Sequence, residues 1–227
     1  MAQSTEQLVE RQMNRWRVLG RTTPTKPSPC IALSRLPGAG AEELGVRVAE
    51  RLGWGFFGIE IIDQIAREQG IARRLLEGLD ERVRSAIERQ VVDAMGHPGL
   101  RENEYLHLVA RAVLTFGERG GCVLLGRGSH LILPPERTLR VLVVAPPERR
   151  AESVARQRGV TQAEASTIVS EEDTARREFF RHHFSRDPDD PVLFDLTVNT
   201  GSLSMDAATE LTLLALRERF PGQRLEL

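Results

Sequence analysis

The stretch Cys30-Ile-Ala-Leu-Ser-Arg-Leu-Pro-Gly-Ala-Gly-Ala-Glu-Glu-Leu-Gly-Val-Arg-Val-Ala-Glu-Arg-Leu52 decides how this chain is read. Ile31 to Leu33 form a short apolar run. A loop with Gly38 and Gly40 follows, and then apolar residues at 41, 44, 48, 49 and 52 recur at helical spacing. The pattern predicts strand, glycine loop and helix. Such a turn leaves backbone N–H groups facing the space before the helix, where the dipole adds roughly half a positive charge. A phosphate is the natural guest, although a plain strand-to-helix turn reads the same way. A loop of the G-x-x-x-x-G-K-[ST] type supplies a lysine for phosphates and a hydroxyl for magnesium. Here those places hold Ala41 and Glu42, and Arg35 stands where the first glycine falls.

A chain of 227 residues fits one α/β domain, or one domain with an appended arm. Its net charge of −1 gives no overall attraction for nucleic acid or an acidic membrane, so neither partner is expected. The start, Met-Ala-Gln-Ser-Thr-Glu-Gln, lacks a charged-then-apolar signal, and no run of 18 apolar residues appears, so a cytoplasmic protein is expected. Cys30 and Cys122 sit in apolar runs and read as reduced core residues, and no metal site is expected. Lys26 is the only lysine among 31 basic residues. It lies in a proline-bounded linker, so phosphate charge near the loop must be met by arginine.

Residues 1–29 read as an N-terminal arm. Val9, Met13 and Trp16 share one helical face, and Pro24, Pro27 and Pro29 exclude regular structure after it. The arm is expected to pack on the body or on a second subunit or protein partner. From 30 to about 220 the pattern is one domain. Gly53 to Phe57 is a brief aromatic strand, residues 60–69 a helix, and residues 71–118 mostly helix with a break at 96–99. Cys122 to Leu125 is a continuously apolar strand that ends in Gly126-Arg127-Gly128. An arginine presented there lies where α/β sheets bind ligands, and its fork suits phosphate, although a salt-bridging arginine in a glycine turn looks alike.

Leu139 to Val144 is a further strand, Pro146-Pro147 opens a helix, and Thr161 with Glu164 forms a capping box for a longer one. Arg149, Arg150, Arg156, Arg158, Arg176, Arg177 and Arg181 all fall in this helical pair. It reads either as a solvated face or as a lid, about 146–190, closing arginines over a phosphoryl group. His182 and His183 lack ligand-spaced partners and read as packing residues. Asp187 to Pro191 is a turn and Leu193 to Val198 the last strand. Ser204 caps a final helix expected to turn Leu211, Leu214 and Ala215 inward.

Strands alternating with helices argue a parallel sheet wrapped by helices. Taken together, Ser34-Arg35-x-x-Gly38-x-Gly40-x-x-Glu43, Leu52-Gly53 with Phe56-Phe57, Gly126-Arg127-Gly128, Asp173-x-x-Arg176-Arg177 and Asp190-Pro191-x-x-Phe194-Asp195-x-x-x-Asn199-Thr200 resemble the cytidylate kinase-like family. That is a branch of the P-loop nucleoside monophosphate kinases. The resemblance covers about residues 30–215 and implies five parallel strands in the order 2-3-1-4-5, helices on both faces and a helical lid.

It further implies ATP and Mg²⁺ as cofactors and transfer of the γ-phosphoryl to a pyrimidine nucleoside monophosphate. On its terms Arg127 holds the acceptor phosphate, and Arg176 and Arg177 stabilise the transferred group. Ser34, Arg35, Gly38, Ala39, Gly40, Ala41, Glu42 and Glu43 cradle the donor phosphates, and Asn199 and Thr200 border its base. Gly128, Phe57, Glu60, Arg150 and Arg181 fall to the acceptor side. The chain departs from the family's pattern at Ala41 and Glu42, at Gly58-Ile59-Glu60, and at Gly128, where true cytidylate kinases place a cytosine-reading acid. The alternative is therefore a degenerate, non-catalytic member that binds nucleotide weakly or serves as a protein-interaction module.

Overall fold

A computed structural model describes residues 4–22, 28–68, 79, 81–94 and 103–222, with the backbone alone over 15–22 and 93–94. The linker at 23–27 with Lys26, the break at 96–99 and the side chain of Trp16 lie outside the described residues.

Strand β1 (Cys30–Arg35) lies at the centre of a parallel sheet because both of its faces are apolar. Around it stand β2 (Gly55–Phe57), β3 (Cys122–Leu125), β4 (Thr138–Val144) and β5 (Leu196–Asn199), in the order β2-β3-β1-β4-β5. All four pairings are parallel, and Cys30, Ile31, Ala32 and Leu33 face Cys122, Val123, Leu124 and Leu125 in register.

Alternation along the strands divides the core into two layers. Ile31 and Leu33, with Val123, Leu125, Val141 and Val143, face α2 (Ala41–Leu52) and α9 (Met205–Arg219). Cys30, Ala32, Phe57, Cys122 and Leu124 face the opposite layer, formed by α1 (Thr5–Thr22), α3 (Ile59–Arg67), α4 (Glu81–Ala94) and α5 (Glu104–Arg119). Each fully buried aliphatic side chain contributes about 1.5–3 kcal/mol, which is why these strands read as unbroken apolar runs. Cys30 and Cys122 are buried free thiols with Sγ atoms 3.6 Å apart, and burial pushes the Cys122 thiol up.

Helix α1 packs on the body. Val9 and Met13 join the second layer, and Gln12 donates from Nε2 to the Gly121 carbonyl at 3.0 Å. Helices α7 (Pro147–Arg158) and α8 (Gln162–Phe184) form the lid hairpin, held by its own small core of Ala151, Val154, Ala165 and Val169. Pro147 opens α7, and the Thr161–Glu164 capping box opens α8.

Three expectations are corrected. The last strand begins at Leu196, because Asp190 accepts from the Val192 N–H and winds Pro191–Leu193 into a 3-10 turn. Helix α9 buries Ala208, Thr209, Thr212, Leu213 and Leu216, while Leu211 and Leu214 face water. The threonines can be buried because each hydroxyl donates to a carbonyl one turn back, Thr209 to Met205 and Thr212 to Ala208, both at 2.8 Å. Phe57 is fully buried against Phe116, ring centroids 4.3 Å apart, and touches no cleft. Phe57→Ala is therefore expected to lower the unfolding free energy by about 3–5 kcal/mol in urea melts, with nucleotide preference unchanged.

Candidate active site

The cleft opens above the carboxyl ends of β1 and β3, where the glycine turns leave the sheet. It has a volume of about 500 Å³. Ser34, Arg35 and Pro37 line it from β1 and the loop, Ile59 and Glu60 from the start of α3, and Gly126 and Arg127 from the end of β3. The lid supplies Arg158, Glu172, Ala175, Arg176, Phe179 and Phe180.

The glycine loop takes its shape from backbone contacts. Gly38 and Gly40 both have φ near +77°, and a Cβ on Gly38 would lie 2.6 Å from the Arg150 carbonyl oxygen. Thr200 Oγ1 donates to the Ala39 carbonyl at 2.8 Å, which ties the turn after β5 to the loop, and Asn199 Oδ1 accepts from the Gly201 N–H at 3.0 Å. Gly40 caps α2 without a side chain, so the first-turn amides of Ala41, Glu42 and Glu43 have no intrahelical acceptor. Glu43 is turned away and pairs with Arg47 at 2.8 Å. Glu42 is exposed, and its field acts on Arg35.

Arg127 occupies the left-handed region at φ +52°, between Gly126 and Gly128. A Cβ on Gly128 would lie 2.3 Å from the Phe184 ring, so this turn is fitted to the lid base. Asp63 of α3 grips Arg127 at two points, from Nε at 2.6 Å and from Nη2. Tyr105 of α5 donates its hydroxyl to the same carboxylate. Burial alone would lower the Arg127 guanidinium, yet the bonds to Asp63 outweigh it and raise its pKa. The Tyr105 phenol is pushed up to about 12, by burial first and then by its bond to Asp63. Nη1 is the part of the Arg127 fork that Asp63 leaves open.

The lid arginines divide by helical phase. Glu172, Ala175, Arg176, Phe179 and Phe180 fall at i, i+3, i+4, i+7 and i+8 and form one stripe over the cleft. Arg176 donates to Asp189 Oδ1 at 2.6 Å, to the Pro188 carbonyl at 2.9 Å and to Ser34 Oγ at 3.3 Å. Arg177 and Arg181 lie on the next stripe, exposed, and do not line the cleft. The expectation that Arg177 acts with Arg176 is corrected by this phase, as is a substrate contact for Arg181.

Arg150 is buried rather than ligand-facing. It makes a two-point pair with Asp173, both bonds 2.9 Å, and donates to the Ala145 carbonyl at 3.1 Å and the Pro37 carbonyl at 3.4 Å. Lid, glycine loop and the end of β4 meet on this one guanidinium. Arg158 reaches the cleft as one of the expected lid arginines, whereas Asp63, Tyr105, Glu172, Phe179 and Phe180 were not anticipated from the sequence. The i, i+4, i+7, i+8 repeat through Arg176 was the available signal for the lid residues.

A central parallel sheet in the order β2-β3-β1-β4-β5, with the cleft at the carboxyl ends and a helical lid above it, defines a P-loop kinase fold. The family model of the cytidylate kinase-like family matches residues 30–202, and the chain belongs to that family. A cytidylate kinase of Aeropyrum pernix is 29% identical over 188 residues, covering 82% of this chain and 98% of that one. A cytidylate kinase of Methanopyrus kandleri is 27% identical over 180 residues, covering 79% and 88%. The crystal structure of an uncharacterized protein from Eubacterium ventriosum superposes with a TM-score of 0.67 at 17% identity, covering 84% of this chain and 99% of that one. Among the described residues no helix is long and apolar enough to cross a membrane.

His130, in the short helix α6 (Ser129–Ile132) behind Arg127, stacks on Phe194 at 4.8 Å and lies 5.4 Å from Phe180 of the lid. Neither ring nitrogen has a partner among the described residues. Burial, helped by Arg176 and Arg140, pushes its pKa down to about 3. The unfolded chain titrates this group near 6.5 and so binds a proton that the folded chain refuses, and stability falls as pH drops below 6.5. Comparing melts at pH 6.5 and 4.5, His130→Phe is expected to remove an acid loss of about 2–3 kcal/mol.

Proposed function

We propose that this chain transfers the γ-phosphoryl group of ATP to a pyrimidine nucleoside monophosphate. The observation that carries this reading is the convergence of Arg127 from β3 and Arg176 from the lid on one cleft beside the glycine loop. The acceptor's phosphate oxygen attacks the γ-phosphorus, the bond to the β–γ bridging oxygen breaks, and ADP leaves with that electron pair. Such a transfer asks the protein for alignment and charge neutralisation rather than covalent chemistry.

The roles follow from position. Asp63 and Tyr105 fix the plane of Arg127, whose Nη1 then meets the acceptor phosphate. Arg176, already braced by Asp189 and Ser34, faces the same space from above. Phe179 and Phe180 shed water when the lid is closed. A magnesium ion takes most of its ligands from phosphate and water, so one protein oxygen suffices. Glu42, where related loops carry a hydroxyl, would be the protein oxygen to hold it, and the ion would supply charge neutralisation on the donor phosphates.

The same residue also favours a second reading, a weakly binding, non-catalytic member. A carboxylate about 4 Å from a phosphate oxygen costs on the order of 4 kcal/mol at an effective dielectric of 20, comparable to the gain from a few amides. ATP is therefore expected to bind no more tightly than about 0.1 mM, and Glu42→Arg to tighten it. Calorimetry with ATP and Mg²⁺ on both proteins, then a coupled assay against CMP, dCMP, UMP and AMP, separates the readings: absence of turnover with every acceptor leaves the binding module. Arg127→Ala is expected to weaken acceptor binding by about 1.5–3 kcal/mol, read as a rise in KM for the monophosphate. An unchanged KM would remove Arg127 from the acceptor site.

A further inference from the structure

Four arginines line the cleft, Arg35, Arg127, Arg158 and Arg176. Three of them are paired: Arg127 with Asp63, Arg158 with Glu172 at 2.5 Å, and Arg176 with Asp189 at 2.6 Å. The Arg35 side chain has neither hydrogen bond nor ion pair among the described residues. It is also the residue set most centrally, since it ends β1 in the middle of the sheet, one step before the glycine loop. Burial lowers its pKa, with the fields of Glu172, Glu60 and Glu42 opposing and that of Arg176 adding to the effect. Arg35 is half-buried at the wall of the cleft, so its guanidinium is only partly hydrated there, and an anion with at least two oxygens is a better partner than that water.

We propose that Arg35 is the principal cation for the donor's phosphate chain, taking over from β1 the work that a lysine at position 41 performs in other phosphate loops. The inference rests on the reading of the cleft as a phosphoryl-transfer site. Three features support it. Ala41 is buried and carries no charge, so no basic side chain enters from the first turn of α2. Of the three carboxylates whose fields reach Arg35, Glu172 is bound by Arg158, and Glu42 and Glu60 are exposed, so none bonds to the guanidinium in the empty cleft. Arg35 immediately precedes the glycine loop and the open first-turn amides of α2 immediately follow it, so both ends of the loop offer groups that suit a phosphate chain.

The test uses tripolyphosphate, which carries the phosphate chain without a base, and the full chain as it stands. Arg35→Met, Arg35→Lys and the distant surface variant Arg51→Gln are compared by calorimetry and by melting temperature with and without the anion. Arg35→Met is expected to weaken tripolyphosphate at least tenfold, Arg35→Lys by less, and Arg51→Gln not at all. Without the anion, Arg35→Met is expected to melt higher than the unmodified chain, because an unpaired cation has been removed. With the anion it is expected to lose the gain that the unmodified chain shows.

A lower melting point for anion-free Arg35→Met would make Arg35 a structural residue and overturn the inference. Equal tripolyphosphate affinity in both proteins would overturn it too, while leaving the kinase reading intact if the coupled assay shows turnover. Arg35-dependent binding without turnover on any acceptor would uphold the inference and sink the kinase reading. No response of the unmodified chain to tripolyphosphate overturns the inference directly.

Discussion

A guanidinium taken out of water must find acceptors, and this requirement organises everything above the carboxyl ends of the strands. Arg150 shows it most fully. Its side chain is nearly inaccessible, and it survives there because Asp173 and the carbonyls of Ala145 and Pro37 fill its fork. Removing one partner of such a buried pair strands the other charge at a cost of about 3–5 kcal/mol. The pair therefore fixes where the second lid helix sits relative to the glycine loop. Gly38 completes the fit, because only a residue without a Cβ lets the loop pass under the Arg150 carbonyl. Arg127 and Arg176 repeat the device with Asp63 and Asp189, so the turn after β3 is pinned to α3, α7 to α8, and α8 to the turn that follows it.

The sheet was legible because burial on both faces leaves a strong mark. Ile31, Leu33, Val123, Val141 and Val143 cannot be traded for polar residues without opening one layer, so the strands stand out as continuous apolar runs. The strand order was implied by the resemblance to the cytidylate kinase-like family rather than by the apolar runs, and it is the order observed. Periodicity misled where polar atoms satisfy themselves. Thr209 and Thr212 look like surface residues and are core residues, since each bonds to its own helix, and the expected face of α9 came out rotated in consequence. Asp190 acts similarly, folding residues that look like strand into a turn.

The site was legible only in part, for a different reason. Motif spacing located Ser34, Arg35, Glu60, Arg127 and Arg176 at the cleft, because backbone turns and strand ends fix where these residues emerge. It could not tell which of several arginines on one helix faces inward, since charge has no periodicity when every exposed face is charged. Phase decided it. Arg176 shares a stripe with Phe179 and Phe180, while Arg177 and Arg181 do not. Nor could spacing reveal Asp63 as the partner of Arg127, because the two are 64 residues apart and meet only once α3 packs beside β3.

The exchange of a loop lysine for charges borne by other elements changes how affinity and conformation are linked. Arg35 on β1, like a lysine in the first turn of a helix, stays with the body whatever the lid does. Here Arg158 and Arg176 ride on the lid, and Arg127 sits in a turn closed over by Phe184. The positive charge facing a phosphate chain is therefore largest when lid and body are together, and an anion that meets all of these groups binds the shut arrangement best. By linkage it must also stabilise that arrangement by its difference in affinity, and by no more than that. Glu60 and Glu172 work in the opposite sense, offsetting two of the four cleft arginines, while Asp63 and Asp189 pair with Arg127 and Arg176, and together they keep the arginines from repelling one another. Under the proposed phosphoryl transfer, such linkage would tie lid closure to occupancy, so that water is excluded only while both substrates are present.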